Sequence, residues 1–258
     1  MVMRVLFVML CFLSVLVPAS ESGRLTHRAA AVFSEGKLAK SYALYEKALL
    51  ASRKESNLYA ENRVLISMAQ IRVQSLDFAF ADSLLTLVRT SEFQAPDSAA
   101  FLQVRLFSLN EQGRFDETVR LGEPAVQKKM KNVSDALQAA VWSELTIAYA
   151  ALGRKEDSER ALKQVKKFGR EGFFYFTRAR SSQLLGNSNA DDEYAEALES
   201  AIQNNAPFQS ASILYYRGLL AAANSQEKAN DFFLRSANAF ELLGLPNNEK
   251  RSREKITN

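Results

Sequence analysis

Among 258 residues there is one cysteine, one histidine and one tryptophan. A single thiol, Cys11, leaves no intramolecular disulfide to form. With one imidazole, His27, the chain cannot assemble the paired Cys/His sets of zinc sites. A Ser–His–Asp arrangement would need His27 beside a positioned serine, and nothing in the sequence marks one. His27 is therefore expected at a surface or cap. No GxxxxGK[ST] or GxGxxG stretch occurs, so no phosphate-cradling loop is indicated. No cofactor and no metal are expected. Gly (10) and Pro (5) are scarce, which argues against long loops and many tight β-turns. Alternating β-branched runs, the mark of strands, are rare.

What is abundant are good helix formers: Ala, Leu, Glu, Lys, Arg and Gln. Hydrophobic residues at 47% and charged residues at 24% are ordinary for a folded chain with a wetted surface. An all-α fold follows. The 33 basic and 29 acidic side chains are interleaved, for a net charge of +4. A nucleic-acid binder concentrates its excess on one stripe, so no nucleic-acid partner is expected.

Residues 1–4 carry one positive charge, and residues 5–17 (VLFVMLCFLSVLV) carry none. Pro18, Ala19 and Ser20 follow. This is the order of a secretory signal peptide, and the run is short of the roughly 20 apolar residues a membrane span needs. Cleavage before Ser20 is expected, giving a leader over 1–19 and a periplasmic or envelope-associated mature chain. Cys11 follows Leu10 rather than a small residue, and apolar residues continue beyond it, so lipidation is not expected. Removal of the leader takes Arg4 and no acid, leaving a net charge of +3.

Self-similarity is the next signal. Taking Gly36, Leu76, Gly113, Gly153, Gly186 and Ser225 as equivalent turn positions, the spacings are 40, 37, 40, 33 and 39. Each turn lies between two apolar-periodic stretches. The expected unit is a pair of antiparallel helices, with a small residue ending the first. Asp77, Asp116 and Asp157 favour the start of the second. One hairpin cannot bury both faces, so the units must stack.

Residues 142–165 carry the pattern most fully: Trp142, Leu145, Tyr149 and Gly153, then Leu162 and Val165. Tyr45, Ala48 and Leu49 follow it in the first unit. Leu65, Met68, Ala69, Ala81, Leu85 and Val88 follow it in the second. Leu214, Gly218, Leu234 and Ala237 follow it in the sixth. The pattern resembles the tetratricopeptide repeat (TPR), in a degenerate form with Thr146 at a position usually Gly or Ala. The resemblance covers about 23–240. It implies an α-solenoid of about six hairpins over 20–245, and a polar cap helix or tail over 246–258.

The resemblance also implies a concave groove lined by the first helices, which takes an extended peptide or a partner's helix. Its groove positions fall on Phe33, Gln70, Gln74, Gln103, Phe107, Asn110, Ser143, Ile147, Phe176, Arg180, Gln183 and Tyr215. Amides pair with backbone groups and aromatics supply area. The alternative for Phe33, Phe107 and Ile147 is packing between repeats. The aromatic run Phe173, Phe174, Tyr175 and Phe176 cannot face one core together, because helix positions rotate by about 100° per residue.

The acidic clusters Asp116-Glu117, Glu156-Asp157 and Asp191-Asp192-Glu193 fall at helix starts, where the dipole favours them. Lys128, Lys129 and Lys131, and Lys163, Lys166, Lys167 and Arg170, fall at helix ends. Together these features predict an exported, non-catalytic scaffold for a protein or peptide partner. The alternatives are an accessory or degenerate member of a cell-wall hydrolase system, and a self-assembling envelope component. Envelope association and self-association are compatible with the same pattern.

Overall fold

The computed structural model describes residues 20–128, 130–169 and 171–257, without the side chain of Glu92. The expected leader with Cys11, and Lys129 and Arg170 of the basic clusters, lie outside the described residues. Among the described residues there are thirteen α-helices and no strand. Six hairpins follow one another: α1 Glu21–Ser34 with α2 Leu38–Lys54, α3 Leu58–Gln74 with α4 Phe78–Thr86, and α5 Ala95–Glu111 with α6 Phe115–Gln127. Then come α7 Asp135–Ala151 with α8 Lys155–Phe168, α9 Glu171–Leu184 with α10 Ala190–Gln203, and α11 Pro207–Ala221 with α12 Gln226–Leu242. A short helix, α13 Pro246–Arg253, is the last of the described helices. A 3-10 turn, Thr90–Glu92, links the second hairpin to the third.

The turns explain the hairpins. Gly36, Leu76, Gly113, Gly153 and Gly186 all take left-handed φ, from 57° to 77°. Each reverses the chain so that the next amide reaches back five residues. Examples are Asp77 N to Arg72 O at 2.9 Å, Arg114 N to Leu109 O at 2.8 Å and Arg154 N to Tyr149 O at 2.9 Å. These bonds satisfy carbonyls that a helix end leaves free. The sixth equivalence fails. Ser225 has φ −154° and caps α12, its hydroxyl accepting from Lys228 N. That turn, 222–225, contains no left-handed residue.

Five residues after four of these turns, a small side chain is buried: Ser41, Ala81, Thr118 and Ser158. The hydroxyls of Ser41 and Ser158 donate to Ala29 O and Thr146 O, at 2.8 and 3.0 Å, pinning each second helix to the first. Two glycines mark other close approaches. A Cβ on Gly122 would sit 2.8 Å from Leu145 Cδ2, and one on Gly218 would sit 2.6 Å from the Phe233 ring. Phe233 is buried, whereas Leu234 is exposed. The core position of α12 is thus one residue earlier than the sequence pattern indicates.

First helices pack on first helices in order, α1 on α3, α3 on α5, α5 on α7, α7 on α9 and α9 on α11. They form an inner layer, and the second helices pack outside it. The architecture is all-α, repeat-like and solenoid-like. Its ends also meet. Ala211, Phe240 and Leu245 of the last helices share one apolar cluster with Ala29, Leu38 and Tyr42 of the first hairpin.

Candidate functional site: the inner face and its closure

The twelve candidate groove residues all stand on first helices, and the inner layer buries half of them. Gln70, Gln74, Gln103, Ser143, Ile147 and Tyr215 are buried. Phe33, Phe107, Asn110, Phe176, Arg180 and Gln183 are half-buried. Ile147 is buried and stands outside the apolar clusters. Ser143 Oγ lies 2.7 Å from Thr177 Oγ1 and ties α7 to α9.

Three groups form along this face. Phe33 and Gln74 border a small, half-open cleft with Gly36, Leu38, Pro207 and Phe208. Here the first hairpin meets the start of α11. In the middle, Asn110 Nδ2 donates to both Glu144 O and Glu144 Oε2, at 2.9 and 2.8 Å. Gln103 also hydrogen-bonds the Glu144 carboxyl. Farther along, Arg180 donates to Gln183 Oε1 at 2.7 Å, and its guanidinium lies 4.2 Å from the Tyr216 ring centre. Gln183 Nε2 donates to Tyr216 O at 3.1 Å, and Phe176 packs beside the Tyr216 ring. Tyr215 stacks edge-on to Tyr216.

Glu144 is the electrostatic centre of this face. Burial pushes its carboxyl up to about 8, and the nearby Glu111 adds to the rise; hydrogen bonds from Asn110 and Gln103 oppose it. Desolvation disfavours the charged form, so this acid is largely protonated at neutral pH. Two amide oxygens on the same face, Gln70 Oε1 and Asn110 Oδ1, are buried with no hydrogen-bond partner among the described residues.

Glu111 closes the face. Tyr216 Oη donates to its Oε1 at 2.6 Å, and Arg251 donates to its Oε2 at 2.9 Å. One carboxylate at the end of α5 therefore holds both α11 and α13. The Arg251 guanidinium also lies 4.2 Å from the Tyr215 ring centre. Asn247 Nδ2, one turn earlier on α13, donates to Ser75 O at the end of α3, at 2.9 Å.

Sequence patterns alone pass over Glu111, Glu144, Tyr216 and Arg251. Glu144 left a trace: it is the only charged residue in 136–152, an otherwise neutral stretch. Glu111 and Arg251 are 140 residues apart and left none.

The acidic clusters carry ion pairs. Glu117 pairs with Arg114 at 2.6 Å, Asp157 with Arg154 at 2.6 Å and Asp191 with Arg217 at 2.8 Å. Among the described residues no three His, Cys, Asp or Glu side chains gather as a metal-holding group. In the aromatic run, Phe174 lies under Lys166 and Arg178 while Phe176 turns inward to Tyr216. The sequence matches no protein-family model and no curated protein. The site is therefore read from its own residues.

Proposed function

We propose that this chain is an exported, non-catalytic, TPR-like scaffold that binds a protein or peptide partner in the periplasm or at the cell envelope. The observation that carries this reading is the chemistry of the inner face. Buried amide oxygens without partners, Gln70 Oε1 and Asn110 Oδ1, stand among half-buried aromatics and an arginine on successive first helices. Amide acceptors suit the backbone N–H groups of an incoming chain, and aromatic rings supply area at small entropic cost. The leader-like residues 1–19 support export.

The test is co-purification from an envelope fraction with the tagged full-length chain. Phe107→Ala combined with Arg180→Ala should lower recovery of a stoichiometric partner at least tenfold, with the melting transition still cooperative. Unchanged recovery from a folded double variant would count against the inner face as the binding surface.

A further inference from the structure

The two halves of α8 treat their charges differently. In the first half, Arg154 and Arg160 both pair with Asp157. In the second half Ala161 and Val165 are buried, which turns Lys163, Lys166 and Lys167 outward. All three are exposed, and none pairs with a carboxylate among the described residues. Lys128 and Lys131, at the end of α6, are exposed and unpaired in the same way.

These helix ends form one edge of the solenoid. A Cβ on Gly169, just past α8, would sit 3.3 Å from the Ala139 methyl of α7. One on Gly172, in the first turn of α9, would sit 3.0 Å from Ser200 Oγ of α10. Gln209 Nε2 of α11 donates to Gly172 O at 3.2 Å. The segments that make this edge, 127–135, 163–174 and 199–206, carry seven cations against three carboxylates. The helix dipole accounts for cations at helix ends. It does not account for the apolar side chains beside them. Ile202, near the end of α10, is 65% exposed. Phe168, Phe173 and Phe174 are half-buried and belong to none of the apolar clusters of the interior. Lys167 Nζ lies 4.8 Å from the Phe168 ring centre, and Lys166 Nζ lies 5.7 Å from that of Phe174. Long stems over apolar rings with charged heads outward suit a boundary between an apolar layer and water.

We propose that this edge is a membrane-docking surface for an anionic lipid bilayer. The lysines meet headgroup phosphates, and Ile202 with the phenylalanines enters the boundary between headgroups and acyl chains. Both halves of a lipid thus find a counterpart. An acidic protein surface would use the lysines and leave the apolar side chains idle. The edge lies at helix ends, apart from the inner face, so one chain could hold a partner while resting on a bilayer.

The probes are vesicles of phosphatidylcholine alone and of an equal mixture with phosphatidylglycerol. Residues 1–19 stay the same apart from Cys11→Ser, so the readout is position-specific. In that background an environment-sensitive dye is placed on Ile202→Cys, or on Glu156→Cys at the other end of α8. On the mixed vesicles the dye at 202 should shift to the blue, and the dye at 156 should not. Lys163→Gln, Lys166→Gln and Lys167→Gln together, all at exposed positions, should weaken binding to mixed vesicles at least tenfold. Added salt should weaken wild-type binding as well. Phe107→Ala with Arg180→Ala should leave vesicle binding unchanged, so failure of the inner face and failure of this edge are read separately. Equal affinity of the wild type and the triple lysine variant would overturn the proposal, as would equal dye shifts at 202 and 156 or equal binding to phosphatidylcholine alone. Loss of a soluble acidic protein from the triple variant, with the dye at 202 unshifted on vesicles, would assign the edge to that protein instead.

Discussion

Glu144 shows how a single residue carries the chemistry of the inner face. It sits in the most apolar first helix, held by Asn110 and Gln103 and repelled by Glu111. Its carboxyl titrates near 8 when folded, against 4.5 when free of these effects. Between those values the folded chain binds more protons than the unfolded chain. Stability from this group is therefore full below about 4.5 and is lost as pH rises toward 8, after which it levels. The loss is on the order of a few kcal/mol. Glu144→Gln keeps an acceptor for Asn110 and removes the titration. Urea melts at pH 5 and pH 8.5 should show a smaller difference in the variant than in the wild type. Identical differences would place the pH dependence elsewhere. Which residues stand on first helices was readable from the repeat alignment. Their burial was not, because alignment places a side chain on a helix face without saying what the opposite wall of the solenoid brings to it.

At the scale of elements, the turns were the most legible feature. Five of the six aligned turn positions are left-handed, because a short turn between antiparallel helices demands that conformation and glycine adopts it freely. Leu76 takes it without being glycine, and the flanking periodicity still revealed the turn. The sixth turn escaped, since an extended serine cap in a loop without a left-handed residue solves the same problem by other chemistry. Register within α12 slipped by one residue because Phe233 and Leu234 are equally apolar in sequence, and only the close approach of Gly218 selects the ring. A methyl group added at Gly113 or Gly153 would stand in open space, so an alanine there meets backbone strain alone. Each of Gly113→Ala and Gly153→Ala should cost about 1 kcal/mol. The double variant should cost about 2 kcal/mol, because the turns share no partner. Denaturant midpoints measure this, and an unshifted double variant would contradict the turn assignment.

For the whole molecule, the decisive feature is that the solenoid's last helices return to its first. Pro207 and Leu243 press on Gly36, Asn247 on the end of α3, and Tyr216 and Arg251 on the end of α5. Local pattern gave the hairpins, and nearest-neighbour stacking follows from them. Closure depends on the small rotation accumulated over six units, and no residue pattern records that sum. The inner face is thus a largely filled seam, and a partner of the kind proposed would gain it only by loosening the contact between the ends. Removing Glu111 leaves the Arg251 guanidinium and the Tyr216 hydroxyl without their acceptor, a cost on the order of 3 kcal/mol. Hydrogen–deuterium exchange on wild type and Glu111→Ala, read segment by segment, tests this closure most directly. Faster exchange is expected in α11, α13 and the turn at Gly36, with α7 and α8 unchanged. Faster exchange confined to α5, or spread evenly over the thirteen described helices, would contradict it.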